Sequence, residues 1–169
     1  MDGGADTGTR SMTVEPDLFE TVQCLCLASR RAARAITRRF DTALRPHGIK
    51  ATQFTLLAAL ALKGPQPIGA LAEFIGVDRT TLTRNLAVAG EQSLVRIGSG
   101  EDARARVASI TARGRQTLRR TFSAWQATQH ELTNAVGVAA ADGLRRLSRK
   151  PPVLKASRAY RTGSAGQRP

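Results

Sequence analysis

Residues 68–90 read IGALAEFIGVDRTTLTRNLAVAG, two short apolar-periodic runs joined at Gly76-Val77-Asp78. Leu71, Ala72 and Ile75 recur at helical steps before the joint, and Leu82, Leu86 and Ala89 recur after it. Asp78 stands where an N-cap is wanted, and small Ala72 and Gly76 let two helix backbones come close. The spacing predicts a helix over 70–75, a turn, and a second helix from Arg79, the two packed through their apolar residues as a helix-turn-helix. At about 100° per residue the face opposite Leu82 and Leu86 carries Thr80 and Arg84, with Thr81 at its edge. Arginine can pair with guanine O6 and N7, threonine can reach a phosphate or a thymine methyl, and Arg79 stands at the helix entrance where phosphates pass. Arg79, Thr80, Thr81, Arg84 and Asn85 are therefore the candidate DNA contacts of this helix. A solvated polar face on an ordinary helix pair is the alternative reading of the same residues.

Working outward, Leu94-Val95-Arg96-Ile97 predicts a strand, residues 98–102 a turn, and residues 104–110 a returning strand, with Val107 and Ser109 on one side and Ala108 and Ile110 on the other. Thr111 then caps a new helix. With the wing in place the chain resembles the multiple-antibiotic-resistance regulator (MarR) family of winged-helix repressors. The residues that carry the resemblance are Asp78-Arg79-Thr80-Thr81-Leu82-Thr83-Arg84, Leu94-Val95-Arg96, Asp102-Ala103-Arg104 and Ser109-Ile110-Thr111-Ala112-Arg113-Gly114. The resemblance implies that Asp102 orients the wing and that Arg104 reaches the minor groove or the backbone, with Arg106 as a second wing contact. Ala89-Gly90 departs from the large apolar and charged pair of the family pattern, and Ser93 stands where glycine is usual. Glycine inside a helix costs about 1 kcal/mol relative to alanine, so fraying is expected beyond Val88.

Long amphipathic helices flank this unit. From Asp17 the stripe Leu18, Val22, Leu25, Ala32, Ile36, Phe40, Ala43 predicts one continuous helix ending near Pro46-His47-Gly48. A middle helix over 52–63, with Phe54, Leu57 and Leu60 as core, stops at Gly64-Pro65. After Thr111 a long helix carries Leu118, Phe122, Trp125, Leu132 and Val136, and a shorter one carries Leu144 and Leu147. Neither terminal arm can bury its stripe against a small winged domain, so the first and last helices are expected to pair with a second copy. A monomeric helical extension is the alternative. The fold class is mainly α with a small β-wing: a disordered tail over 1–16, an N-terminal dimerisation helix over 17–48, a winged helix-turn-helix over 49–111, C-terminal dimerisation helices over 112–150, and a basic flexible tail over 151–169. Paired recognition helices predict a pseudo-palindromic operator with half-sites about 34 Å apart.

Charge points the same way. Twenty-six Lys+Arg against 13 Asp+Glu give +13 over 169 residues, and no acid follows Gly143. A polyanion partner follows naturally, double-stranded DNA first among them. No apolar run has membrane-spanning length and the first residues lack a secretion signal, so a cytoplasmic, nucleoid-associated bacterial protein is expected, with no membrane partner.

Two regulatory readings remain open. The resemblance implies a small aromatic or phenolic ligand between the arms and the reading head, and His47, Gln53 and Trp125 are candidate wall residues for an aromatic or anionic ligand. Cys24 and Cys26 suggest a thiol redox sensor that oxidises and releases DNA. On one helix they would point roughly 200° apart, which argues against a mutual bridge or a shared metal ion. Two cysteines packed as small hydrophobes are the alternative. A thiolate metal-sensing repressor is a further alternative, although no metal ligand set is identified. Hydrolase, P-loop and dinucleotide motifs are missing from the sequence, so no enzyme, catalytic residue or cofactor is assigned. The rival to a sequence-specific repressor is a basic architectural protein that binds DNA without sequence choice.

Overall fold

Apolar residues at helical spacing build most of the chain, and the computed structural model describes residues 18–100 and 106–149, the side chains of Phe19 and Glu20 apart. A 3-10 helix Leu18–Gln23 leads into α1 (Leu25–Leu44), a 3-10 turn Arg45–His47 and α2 (Ala51–Lys63). There follow β1 (Gln66–Pro67), α3 (Ile68–Ile75), α4 (Arg79–Glu91), β2 (Val95–Ser99), β3 (Arg106–Ile110), α5 (Ala112–Val136) and α6 (Val138–Arg149). The fold is mainly helical with a small antiparallel wing, as the residue pattern predicts. The sequence calls for terminal tails over 1–16 and 151–169, and both lie outside the described residues.

The helix-turn-helix forms through the predicted contacts. α3 ends where Gly76 adopts φ 78° and its N–H closes on the Ala72 carbonyl at 2.9 Å. Asp78 then caps α4, its Oδ1 accepting from Thr81 N–H at 2.8 Å. Leu71 and Ala72 of α3, Leu82, Leu86 and Ala89 of α4, and Leu56, Leu57 and Leu60 of α2 are all buried in one core. Each buried leucine stabilises the fold by about 1.5–3 kcal/mol.

Two features of the wing differ from expectation. β1 was not predicted; it adds a third strand, giving the order β1-β3-β2. Gln66 lies opposite Ala108 and Pro67 opposite Val107, while on the other edge Val95 pairs with Ile110 and Ile97 with Ala108. A two-residue strand has no period to read, and proline, which cannot donate to a ladder, argues against one in sequence. β2 also runs on to Ser99, into the predicted turn.

α4 does not fray at Val88; it continues to Glu91. Ala89 is fully buried, and a left-handed turn at Ser93 (φ 57°) closes the helix end. Leu94 N–H donates to the Ala89 carbonyl and Ser93 N–H to the Gly90 carbonyl, both at 2.8 Å. This is a Schellman closure, and it satisfies carbonyls that glycine alone would leave loose. Thr111 ties the next joint: its hydroxyl donates to the Ser93 and Leu94 carbonyls (2.7 and 3.1 Å) and accepts from Gly114 N–H at 2.9 Å. Gly114 itself is buried, and a Cβ there would collide with the Leu94 carbonyl oxygen and stand 2.8 Å from Ile110 Cγ1.

Two compact units divide at Met1–Arg38 and Arg39–Pro169. In the first, the predicted continuous helix is broken: Cys24 lies between the 3-10 helix and α1, its N–H donating to Thr21 O at 3.2 Å and its carbonyl accepting from Ala28 N–H at 2.9 Å. The Thr21 hydroxyl donates to Leu18 O at 2.6 Å, one of the local side-chain bonds that compete with a regular helix start. Leu18, Val22 and Leu25 are exposed. In the second unit, Arg39 and Glu131 form a two-bond ion pair, with Arg39 Nε 3.0 Å from Glu131 Oε1. Trp125 stacks on Phe54 (centroids 5.4 Å), Phe122 (5.5 Å) and Phe40 (6.4 Å). Buried Thr121 and Thr128 donate their hydroxyls to carbonyls four residues back, Thr117 O and Ala124 O, each at 2.9 Å. Phe122, Val136, Val138, Leu144 and Leu147 are exposed.

Candidate nucleic-acid interface

α4 is a rod with one buried and one open side. Leu82 and Leu86 are at most 1% exposed, whereas Arg79, Thr80 and Arg84 are exposed to solvent. Asn85 is half-buried. Thr81 is exposed but committed: its N–H and its hydroxyl both donate to the Asp78 carboxylate, at 2.8 and 2.6 Å. Those donations hold the Asp78 carboxyl below the ordinary aspartate range, the Thr81 hydroxyl contributing most. A capping anion at a helix N-terminus also meets the positive end of the helix dipole. The cap fixes where the outward face begins, and that face then offers Arg84 and Thr80 about one turn apart.

On the wing, Arg106 is exposed and pairs across the ladder with Ser99. Asp102 and Arg104 lie outside the described residues. Arg96, exposed on β2 opposite Ser109, adds a cation to the wing that the motif reading did not select.

Two clefts open beside α4 in the second unit. One of about 500 Å³ is lined by His47, Gln92, Arg113, Gln116, Thr117 and Arg120, among others, and by no acidic side chain among the described residues. The other, about 480 Å³, is lined by Asp41, Arg45, Lys50, Gln53, Asn85 and Val88, among others. His47 and Gln53 thus line different clefts, and Trp125 lines neither, being held in its aromatic stack. Arg113 and Arg120 were not selected from sequence, where a pair seven apart on a basic helix carries no signature. Cys24 and Cys26 are both exposed. Cys24 is not inside α1, so the 200° argument against their approach does not apply, and neither residue is a buried hydrophobe in this chain.

Among the described residues there is no group of three or more His, Cys, Asp or Glu side chains that could hold a metal ion. No described helix is long and apolar enough to cross a membrane.

Comparison with known proteins gives a consistent result. A profile described as the MarR family matches residues 47–105. The M. tuberculosis transcriptional regulator MosR, crystallised in complex with DNA, is 41% identical over 75% of this chain and 94% of its own, with a TM-score of 0.68. A second MosR crystal structure is 37% identical over the same shares, with a TM-score of 0.67. Two more distant structures share the fold. A mutant of E. coli MarR complexed with operator DNA is 23% identical over 81% of this chain and all of its own, at a TM-score of 0.70. Bordetella bronchiseptica BpsR, whose DNA binding is regulated by 6-hydroxynicotinic acid, is 19% identical over 72% of this chain and 96% of its own, at 0.64. No curated protein sequence matches the chain.

Proposed function

The chain belongs to the MarR family of DNA-binding transcriptional regulators, which are not enzymes, and from that premise we propose that it is a repressor that binds a pseudo-palindromic operator as a homodimer. One observation carries the base-reading part: Thr80 and Arg84 stand exposed on a rod whose other side is buried through Leu82, Leu86 and Ala89. In this reading Arg84 and Thr80 reach base edges, Arg79 and Asn85 contact the flanking backbone on either side of Thr81, whose hydroxyl serves the Asp78 cap, and Arg104 and Arg106 engage the minor groove or its phosphates while Asp102 orients the wing. The dimer rests on the apolar side chains left open on the arms, Leu25 at 85% exposure and Leu147 at 56% among them. A second copy covers such stripes at lower free-energy cost than water does. Cytoplasmic, nucleoid-associated residence is part of the same proposal.

Release from DNA is proposed to follow a small aromatic or anionic ligand, or oxidation of Cys24 and Cys26. The two clefts that border α4 support the first route, and the joint exposure of both thiols at a helix seam supports the second. The regulation of BpsR by a small acid is consistent with the ligand route.

The test is operator selection from a randomised duplex pool, followed by binding to the selected site and to random duplex at moderate salt. Two dyad-related half-sites about one helical turn apart are expected, with a preference of about a thousandfold or more over random DNA. A selected pool without a dyad, or equal binding to random duplex, would leave an architectural DNA binder instead.

A further inference from the structure

Apolar packing fixes how deep α4 sits but is not directional, and this chain has little bulk at the end of α4 to stop the helix from rolling. Ala89 is the last buried side chain and Gly90 has none. A polar tie lies there instead. Gln53, only 5% exposed, donates from Nε2 to Gln92 Oε1 at 2.7 Å across 39 residues of sequence. The other end of the same amide is also engaged: Gln53 Oε1 accepts from Lys50 N–H at 2.9 Å, fixing the first turn of α2. Next to it, Ala51 N–H donates to Asp41 Oδ1 at 2.7 Å, which anchors that turn to the last turn of α1. Gln92 is the C-cap of α4 and the residue before the left-handed turn at Ser93. The end of the reading helix is therefore bonded to a buried amide whose other end is pinned to the start of α2.

We propose that Gln53 and Gln92 are positioning residues for sequence reading, their bond setting the rotation of α4 about its axis. The inference rests on the base-reading role of α4 proposed above. Side chains stand about 6 Å from a helix axis, so a roll of about 10° displaces Arg84 by about 1 Å. That is enough to spoil a two-bond contact with a base, which needs placement within about 0.5 Å, but not a contact with diffuse phosphate charge. Gln92 also lines both clefts, so an occupant of either meets the amide that holds the reading helix.

The experiment measures the ratio of affinities for the selected operator and for random duplex, with the full chain, by fluorescence anisotropy. Gln92→Leu removes the acceptor at an exposed site but leaves the buried Gln53 Nε2 unpaired, so a urea titration checks that the variant is folded under the assay conditions; the ratio is expected to fall about tenfold with random-duplex binding within about twofold of wild type. Gln92→Glu keeps an acceptor for Gln53 Nε2 and is expected to keep the wild-type ratio. Gln53→Leu combined with Gln92→Leu is expected to lose no more than Gln92→Leu alone. An unchanged ratio in Gln92→Leu, an equal loss on both duplexes, or a loss in Gln92→Glu as large as in Gln92→Leu overturns the proposal. Arg84→Ala separates the two levels: if it leaves the ratio unchanged the base-reading premise itself has failed, and if it collapses the ratio while Gln92→Leu does not, positioning alone has failed.

Discussion

Gly114→Ala adds one methyl group at the joint between the wing and α5. That methyl would fall far inside contact distance of the Leu94 carbonyl oxygen, 2.8 Å from Ile110 Cγ1 and 3.1 Å from the Leu94 carbonyl carbon. Carbon–oxygen contacts close at about 3.3 Å, so α5 and the start of β2 must separate by on the order of 1 Å. The nearest obstacle is the Leu94 backbone, which no side-chain rotation can move aside. The same carbonyl accepts from Thr111 N–H and from the Thr111 hydroxyl, both at 3.1 Å, so separation strains those bonds as well. Overpacking of this kind costs about 1–3 kcal/mol, and each weakened hydrogen bond about 1 kcal/mol. Alanine's helix propensity returns at most about 1 kcal/mol. A net loss of about 2–4 kcal/mol is expected, read as a shift of the urea midpoint at unchanged slope and fixed protomer concentration, with the single tryptophan as probe. A shift corresponding to less than about 0.5 kcal/mol would refute the steric argument.

Other positions give independent checks. Ser93→Gly relieves a left-handed residue at about 1–2 kcal/mol and adds unfolded-state entropy of about 0.4–1 kcal/mol, so a net gain of up to about 1.6 kcal/mol is expected in the same urea assay. Asp78 has a carboxyl lowered by the Thr81 bonds, so its contribution is fully present above the ordinary 3.8 and is lost as pH falls through the folded value. Asp78→Asn keeps an uncharged acceptor, and its stability relative to wild type should therefore rise as the medium is acidified below pH 4; a pH-independent difference would contradict the cap assignment. Cys24→Ser should abolish peroxide-induced release from operator DNA, measured by anisotropy, and release that persists places the switch elsewhere.

The core of the fold was legible because it repeats. Leu82, Leu86 and Ala89 announce a buried stripe by spacing alone, Asp78 announces a helix start by chemistry, and the open face of Thr80 and Arg84 follows from the two together. What escaped has no period. Gln66 and Pro67 form a strand only because β3 offers them a free edge, and Cys24 falls at a seam set by local hydrogen bonds. The predicted fraying of α4 misjudged Gly90, because the closure at Ser93 and the burial of Ala89 are properties of the packed state. Gln53 and Gln92 are 39 residues apart and carry no motif, so their bond could be found only in three dimensions.

The threonines along α5 decide how the middle of that helix is held. Thr121 and Thr128 spend their only hydroxyl protons on carbonyls of their own helix, which leaves methyl groups as the outward part of each side chain. A surface of methyls grips by shape. The polar anchors of α5 lie elsewhere, at the Thr111 joint and the Arg39–Glu131 pair, so a substitution along the methyl stretch is felt through volume and not through a lost bond to a neighbouring helix.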